Sequence, residues 1–221
     1  TRANSTAGMT QLVSASRPTR IGTSRERQHA ALLWYLGERW QLESSYTRET
    51  RTGRQVGSGD FLLQSTALPT PIDHQTDTAT AAVRYLAPRW LVDLHVRRSE
   101  FDNGNTSLVW QNPYTLFGSN EEGQKGLAPD NKSTSWGFTT RFNPTDRHVI
   151  NASAEWAENT QNQAFLPPSV NPAVPPPPVA LPPGLDGKVE TFAARLAWVM
   201  RVGSRGSLKL GWLSRERDNR T

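Results

Sequence analysis

Apolar and polar residues alternate with a period of two along most of this chain. Between residues 89 and 100, for example, Trp90, Val92 and Leu94 fall on one side of an extended backbone, and Asp93 and His95 fall on the other. The alternation predicts eight β-strands, each with one apolar and one polar face. We place them at about residues 26–36, 40–51, 75–86, 89–100, 132–142, 147–159, 187–201 and 206–217.

The connections between these strands alternate in length. Short segments with the Gly, Pro, Asn or Asp residues that tight turns need join the strands in pairs, at residues 37–39, 87–89, 143–146 and 203–206. Long connections separate the pairs, at about residues 52–74, 101–130 and 160–186. The last of these contains "NPAVPPPPVALPPG" and is expected to be an extended loop, because proline cannot donate to a sheet ladder.

Short turns at one end of the strands and long loops at the other are typical of transmembrane β-barrels. We therefore predict an all-β fold, an antiparallel up-and-down transmembrane β-barrel in the bacterial outer membrane. Tyr35, Trp40, Trp90 and Trp212 lie near predicted strand ends, as residues of an interfacial aromatic belt do. The alternative is a soluble β-sandwich, in which the apolar faces would form a shared core.

The predicted strand directions place both ends of the chain on the long-loop side. The first strand runs toward a short turn, and the last strand runs away from one. Complete bacterial barrels normally keep both termini on the side of the short turns. We therefore expect about eight strands, in four hairpins, of a larger barrel, with residues 25–221 as the barrel segment and residues 1–24 as an external loop or connection.

Composition narrows the chemistry. The chain has 221 residues and no Cys, which excludes disulfides, thiolate metal sites and covalent c-type haem attachment within it. Its mean hydropathy is −0.62, and it contains no apolar run near the roughly 20 residues that a membrane helix needs. The net charge of +5 favours anionic partners. Because the predicted location is the outer membrane, we do not expect nucleic acid to be one of these partners.

The predicted inward faces are basic. Glu43, Asp93 and Glu155 are their acidic residues. The basic residues assigned to these faces are Arg84, Arg89, Arg97, Arg141, Arg147, Arg195 and Lys209. This balance predicts a positive lumen that attracts an anionic solute or an acidic partner. The alternative is ordinary cross-strand ion pairing within a polar lumen.

Catalytic and metal-binding patterns are weak. Asp93, His95 and Ser153 all point inward, but a catalytic triad needs them within hydrogen-bond reach, and alternation turns many such residues inward by chance. The histidines, at positions 29, 74, 95 and 148, lack metal-ligand spacing. We therefore expect no enzyme activity and no metal site.

An Asp-Asn pair recurs where a strand meets a long connection or the chain end, at residues 102–103, 130–131 and 218–219. A calcium loop would alternate acidic ligands around a central glycine, and "DNGNTS" lacks that register. Side chains that bond nearby backbone amides at strand ends are the preferred interpretation. Weak cation binding at the rim is the alternative.

Six segments together resemble one known family. They are "LPTPIDHQTDTATAAVRY" (68–85), "SEFDNGNTSLVWQNPY" (99–114), "GLAPDNKSTSWGF" (126–138), "NQAFLPPS" (162–169), "LPPGLDGKVET" (181–191) and "RDNRT" (217–221). In order and spacing they resemble the MtrB/PioB family of decahaem-associated outer-membrane proteins, over about residues 20–221. The resemblance implies an internal or C-terminal-side portion of a larger barrel.

The resemblance also implies a role. Members of this family are porin-like sheaths that hold a periplasmic multihaem c-type cytochrome for transmembrane, or extracellular, electron transfer. An extracellular multihaem cytochrome is a further expected partner, and outer-membrane lipid is expected around the barrel. The haem is then carried by the partner, with no cofactor in this chain. The alternative function is a general outer-membrane porin or transporter that passes solutes through a basic lumen.

Overall fold

The structure is a computed structural model that describes residues 3–61, 64–112, 114, 122–172 and 177–220. Within these residues it is almost entirely extended chain. Its ten strands are β1 Gly22–Leu36, β2 Trp40–Phe61, β3 Gln64–Ala87, β4 Trp90–Asn103, β5 Ser107–Gln111, β6 Glu122–Gly126, β7 Asn131–Thr145, β8 His148–Gln161, β9 Gly187–Val202 and β10 Gly206–Asn219.

Eight of these strands form one antiparallel sheet in the order β1-β2-β3-β4-β7-β8-β9-β10. Each strand pairs with its neighbour along the chain, apart from the β5–β6 hairpin, which forms a separate two-stranded sheet between β4 and β7. Strands β1 and β10 lie at the two edges, so the sheet is open. The predicted all-β, up-and-down antiparallel arrangement of four hairpins is confirmed.

Strands β2 and β3 extend far beyond their neighbours. β1 ends its pairing at Arg54 of β2, and β4 ends its pairing at His74 of β3, whereas β2 and β3 stay paired to their common tip. The segment 52–74 is therefore not the loop that the sequence predicted. Because only two strands form this extension, each has an open side, where prolines such as Pro69 and Pro71 are tolerated.

The predicted long connection 101–130 contains the β5–β6 hairpin. Trp110 of β5 lies against Gly59 of the β2–β3 extension and Gly123 of β6, where any side chain on either glycine would overlap the indole. The connection is therefore not a plain loop, because residues 107–111 and 122–126 pair as strands within it.

The other irregular regions are short or lack strands. A 3-10 helix, Thr6–Gly8, and a one-turn α-helix, Leu12–Ala15, precede β1. In the described part of the connection 162–186, extended pairing is limited to a bridge between Ala164 and Gly184.

No helix within the described residues is long and apolar enough to cross a membrane. Two of the short turns begin with left-handed glycines, Gly37 (φ 71°) and Gly203 (φ 62°).

The cross-strand register sorts side chains onto two faces. On the apolar face, Trp34 opposes Leu42, Leu42 opposes Val83, and Val83 opposes Leu94. These side chains pack on no second layer, so that Leu32 is 60% exposed and Trp136 is 57% exposed. Buried apolar residues in the described chain are few and lie outside this face (Met9, Ile72 and Tyr114). A soluble sandwich would cover such a surface, so the apolar face is suited to lipid.

Candidate functional site

The opposite, polar face of the eight-stranded sheet is strongly basic. The register places 11 basic and 4 acidic side chains of the described strands on it. The basic residues are Arg25, Arg27, Arg51, Arg84, Arg97, Arg141, Arg195, Arg201, Lys209, Arg215 and Arg217, and the acidic residues are Glu43, Glu49, Asp93 and Glu155.

Five of the seven basic residues named from the sequence lie in strands on this face, namely Arg84, Arg97, Arg141, Arg195 and Lys209. The other two lie in short turns, so their assignment to inward strand faces was wrong. Arg89 donates from Nη1 to the carbonyl oxygen of Pro144 at 3.0 Å, which ties the second short turn to the third. Arg147 holds the third turn through its backbone, which accepts a bond from the Arg201 amide.

Arg84 is neutralised by its neighbours. Its guanidinium contacts Asp93 at 3.0 Å and Glu43 at 3.9 Å, and it donates to the side-chain oxygen of Gln41 at 3.2 Å. Asp93 also holds Nδ1 of His95 at 2.9 Å. For this residue the alternative of ordinary cross-strand ion pairing is correct.

Most other basic residues of the polar face form no ion pair with a carboxylate in the described chain. Within the described chain no ion pair joins Arg97, Arg141, Arg195 or Lys209 to a carboxylate. Six basic residues of the face were absent from the sequence prediction: Arg25, Arg27, Arg51, Arg201, Arg215 and Arg217. Five of these residues lie within the predicted strands and on the parity of the polar face, so the period-two pattern alone could have found them. Arg25 lies just before the predicted start of the first strand, which begins at Gly22 in the structure.

The candidate triad is not assembled. Asp93 and His95 are bonded, and Ser153 borders the same cavity as His95 on the polar face. Among the described residues, however, no hydrogen bond joins Ser153 to His95. The imidazole instead lies over Gly137 of β7, where a side chain would displace it.

Aromatic residues cluster on the apolar face near the short turns. Trp90 stacks on Phe142 with ring centres 3.9 Å apart, and Trp40 lies 4.9 Å from Tyr85. Trp198 donates its indole N–H to Nδ1 of His148 at 3.1 Å. These pairs form a row at one end of the apolar surface, as expected for side chains with a polar tip at a membrane interface.

A charged collar borders the same face at the loop end, beyond the apolar rows. It consists of the ion pairs Arg48–Asp77, Lys132–Glu100, Lys188–Glu158, Lys188–Glu190, Arg220–Glu190 and Arg220–Asp218. Hydrogen bonds from Arg48 and then from Tyr46 lower the pKa of Asp77 to about 2, despite a smaller opposing effect of burial. Tyr46 lies six positions after Trp40, so the apolar band between the two borders spans roughly 20 Å along β2.

The Asp-Asn pairs at residues 102–103 and 130–131 bond to the backbone. Asp130 accepts the amide of Asn103 at 2.7 Å, and Asn103 accepts the amide of Asn105 at 3.1 Å. Asn131 donates to the carbonyl oxygen of Pro129 at 3.3 Å. At the third position Asp218 binds Arg220. The described residues contain no cluster of three or more potential metal ligands.

An apolar band between an aromatic row and a charged collar, on the reverse of a polar face, is the wall of an outer-membrane β-barrel of porin-like type. Over residues 1–221 the chain matches the MtrB/PioB family of outer membrane β-barrel porins, and it belongs to that family. It is 27% identical over 220 residues to the Outer membrane protein MtrB of Shewanella baltica (strain OS185). That match covers 99% of this chain and 31% of the relative, so the chain spans about a third of the relative's length.

Two similar solved structures are also outer-membrane proteins. One is the outer-membrane expressed OmpT of Vibrio cholerae, at 12% identity and a TM-score of 0.47, which covers 88% of this chain and 46% of that one. The other is the loop L8 deletion mutant of the same protein, at 10% identity and a TM-score of 0.38, with coverages of 87% and 57%.

Proposed function

We propose that this chain is part of the wall of an outer-membrane sheath that holds a periplasmic multihaem c-type cytochrome. Electrons cross the membrane through that cytochrome, and an extracellular multihaem cytochrome is a further partner. Membership of a porin-like outer-membrane family supports the sheath. The resemblance of the loop-rim segments to decahaem-associated barrels supports the cytochrome.

The observation that carries the proposal is the excess of basic side chains on the polar face, most of them without an ion pair in the described chain. In a barrel whose apolar face meets lipid, the polar face lines the interior. A positive interior attracts an acidic protein, and haem propionates add carboxylates of their own. Arg97, Arg141 and Arg195 are the proposed contacts, since Arg84 is already neutralised.

The sheath in this proposal performs no chemistry. Insulation and positioning of a haem chain require shape and complementary charge, and the chain has no Cys to attach a haem covalently. The separation of Ser153 from the Asp93–His95 pair also supports a role without catalysis.

A charge reversal tests the contact surface. The full-length barrel carrying Arg97→Glu, Arg141→Glu and Arg195→Glu should co-purify with at least tenfold less haem per barrel, measured by Soret absorbance. The physical reason is that three attractive contacts to an acidic partner become repulsive.

The matched control carries Arg97→Lys, Arg141→Lys and Arg195→Lys, which keeps the charge, and should retain most of the haem. Heat-modifiable migration on a gel must show that both variants fold. Undiminished haem recovery with the folded charge-reversed barrel would rule out this contact surface.

A general porin or transporter is the second candidate, because unpaired arginines on a polar face also suit the passage of anionic solutes. Conductance of the assembled complex in a planar bilayer separates the two functions. If the chain belongs to a sheath, the assembled complex should conduct poorly, because the cytochrome fills the lumen. If it belongs to a porin, the complex as purified should conduct anions freely.

A further inference from the structure

A groove of about 240 Å³ lies on the polar face, at the loop-side half of strands β1 to β4. Its lining residues are Arg27, Thr47, Glu49, Thr76, Thr78 and Arg97. The two arginines stand on β1 and β4, and the threonines stand on β2 and β3 between them. The groove therefore has a guanidinium group on either side and threonine hydroxyl groups at its base, which we call the hydroxyl floor.

The floor follows from the register. Thr47 opposes Thr78, and Glu49 opposes Thr76, so these side chains sit side by side on the face. Thr47 is 2.9 Å from Nδ1 of His29, and the Thr78 hydroxyl is 3.2 Å from that of Ser99. Hydroxyl groups rotate to donate or accept, and Thr76 adds a third beside them.

The groove is positively charged. Among the described residues, Arg27 and Arg97 form no ion pair. Glu49 is held by Arg25 at 2.6 Å. The hydrogen bond from Arg25 lowers the pKa of Glu49, and the charges of Arg27 and Arg51 act in the same direction. The one carboxylate of the groove thus already has a cation of its own.

We propose that this groove binds a small oxyanion, a phosphate or a carboxylate, between Arg27 and Arg97. Guanidinium groups bind planar or tetrahedral oxyanions through paired N–H donors, and this geometry distinguishes them from simple point charges. The threonine hydroxyls donate to the remaining oxygens. Arg97 also belongs to the proposed contact surface for the cytochrome, but binding of a free oxyanion in the groove does not require a cytochrome.

Binding of inorganic phosphate tests the site. Titration of the detergent-solubilised full-length barrel by calorimetry at low ionic strength, where screening is weak, should show saturable binding. Arg27→Gln with Arg97→Gln should weaken the affinity at least tenfold. Thr76→Val with Thr78→Val should weaken it about threefold, because it removes donors and keeps the charge.

The control is Arg201→Gln with Arg217→Gln, which removes the same charge from the same face but outside the groove. Its affinity for phosphate should match that of the unmodified barrel. An unmodified barrel without saturable binding overturns the proposal. So does an equal loss in the control, since binding would then follow net charge alone.

A second experiment, which rests on the proposed function, identifies the source of the oxyanion by comparing phosphate binding before and after the enclosed protein is removed. If phosphate binds equally well to the complex as isolated, the groove serves free oxyanions. If phosphate binds only after high salt has removed the enclosed protein, a carboxylate of that protein occupies the groove. Absence of binding in both states overturns the proposal but leaves the sheath function intact.

Discussion

The indole of Trp110 fits its site because the two residues on either side of it are glycines. The indole lies between Gly59 and Gly123, and either glycine would collide with it if it carried a Cβ atom. Three segments distant in the sequence meet at this contact: the β2–β3 extension, β5 and β6. A single aromatic side chain thus fastens the external hairpins to one another.

Gly59→Val should loosen this contact. Forcing a branched side chain into a filled space costs about 1–3 kcal/mol, and every 1.4 kcal/mol is about tenfold in population. We expect tryptic cleavage after Lys125, an exposed residue of β6, to accelerate roughly tenfold in the full-length barrel.

Gly22→Val is the matched control, because a Cβ at Gly22 meets open space. Its cleavage rate should equal that of the unmodified barrel. Equal protection of Gly59→Val would show that the β2–β3 extension does not hold the β5–β6 hairpin.

At the scale of the strand, a single position decides whether a side chain meets lipid or the polar interior. In β3, Val83 lies on the apolar face between Leu42 and Leu94. Its neighbour Ala82 lies on the polar face between Glu43 and His95. The register gives adjacent residues opposite surroundings, since side chains alternate along a strand.

Val83→Arg should destabilise the barrel by about 1–3 kcal/mol, because a cation on the lipid-facing surface costs about 2–4 kcal/mol at the midplane and about 0–1 kcal/mol at the interface, and Val83 lies between the two. Ala82→Arg should cost little, because it places the same side chain beside Glu43. Urea unfolding of the full-length protein in lipid vesicles measures both. Equal costs for the two variants would contradict the assignment of the faces.

The whole molecule has two unlike ends. Short turns and aromatic pairs mark one end, and the β2–β3 extension, the β5–β6 hairpin and the charged collar mark the other. In outer-membrane barrels the short turns are periplasmic and the longer segments are extracellular. We therefore expect the β2–β3 extension and the β5–β6 hairpin to face away from the cell.

Single-cysteine labelling tests this orientation, and the absence of native Cys from these residues gives a clean background here. With any cysteine elsewhere in the full-length barrel replaced, Lys125→Cys should react with a membrane-impermeant maleimide on intact cells. Ser204→Cys, in the last short turn, should react only after the outer membrane is permeabilised. The reverse pattern would contradict the orientation.

Local pattern was sufficient for much of this architecture. The alternation at Trp90, Val92 and Leu94 located β4 and its two faces. The turn residues at Gly37 and Gly203 located hairpins. The Asp-Asn pairs predicted side-chain contacts to nearby backbone amides, which the structure confirms where Asn103 accepts the amide of Asn105. All of these depend on interactions within a few residues or on a fixed period.

The sequence alone determined an all-β chain with one apolar and one basic face, because the period of a strand is a local property of the backbone. Tertiary structure decided the rest. It extended β2 and β3 through a segment predicted as loop, since each strand there is stabilised by its partner. It moved Arg89 and Arg147 into turns, neutralised Arg84, and brought Arg27 and Arg97 to one groove. Such outcomes depend on cross-strand neighbours, which register rather than local sequence supplies.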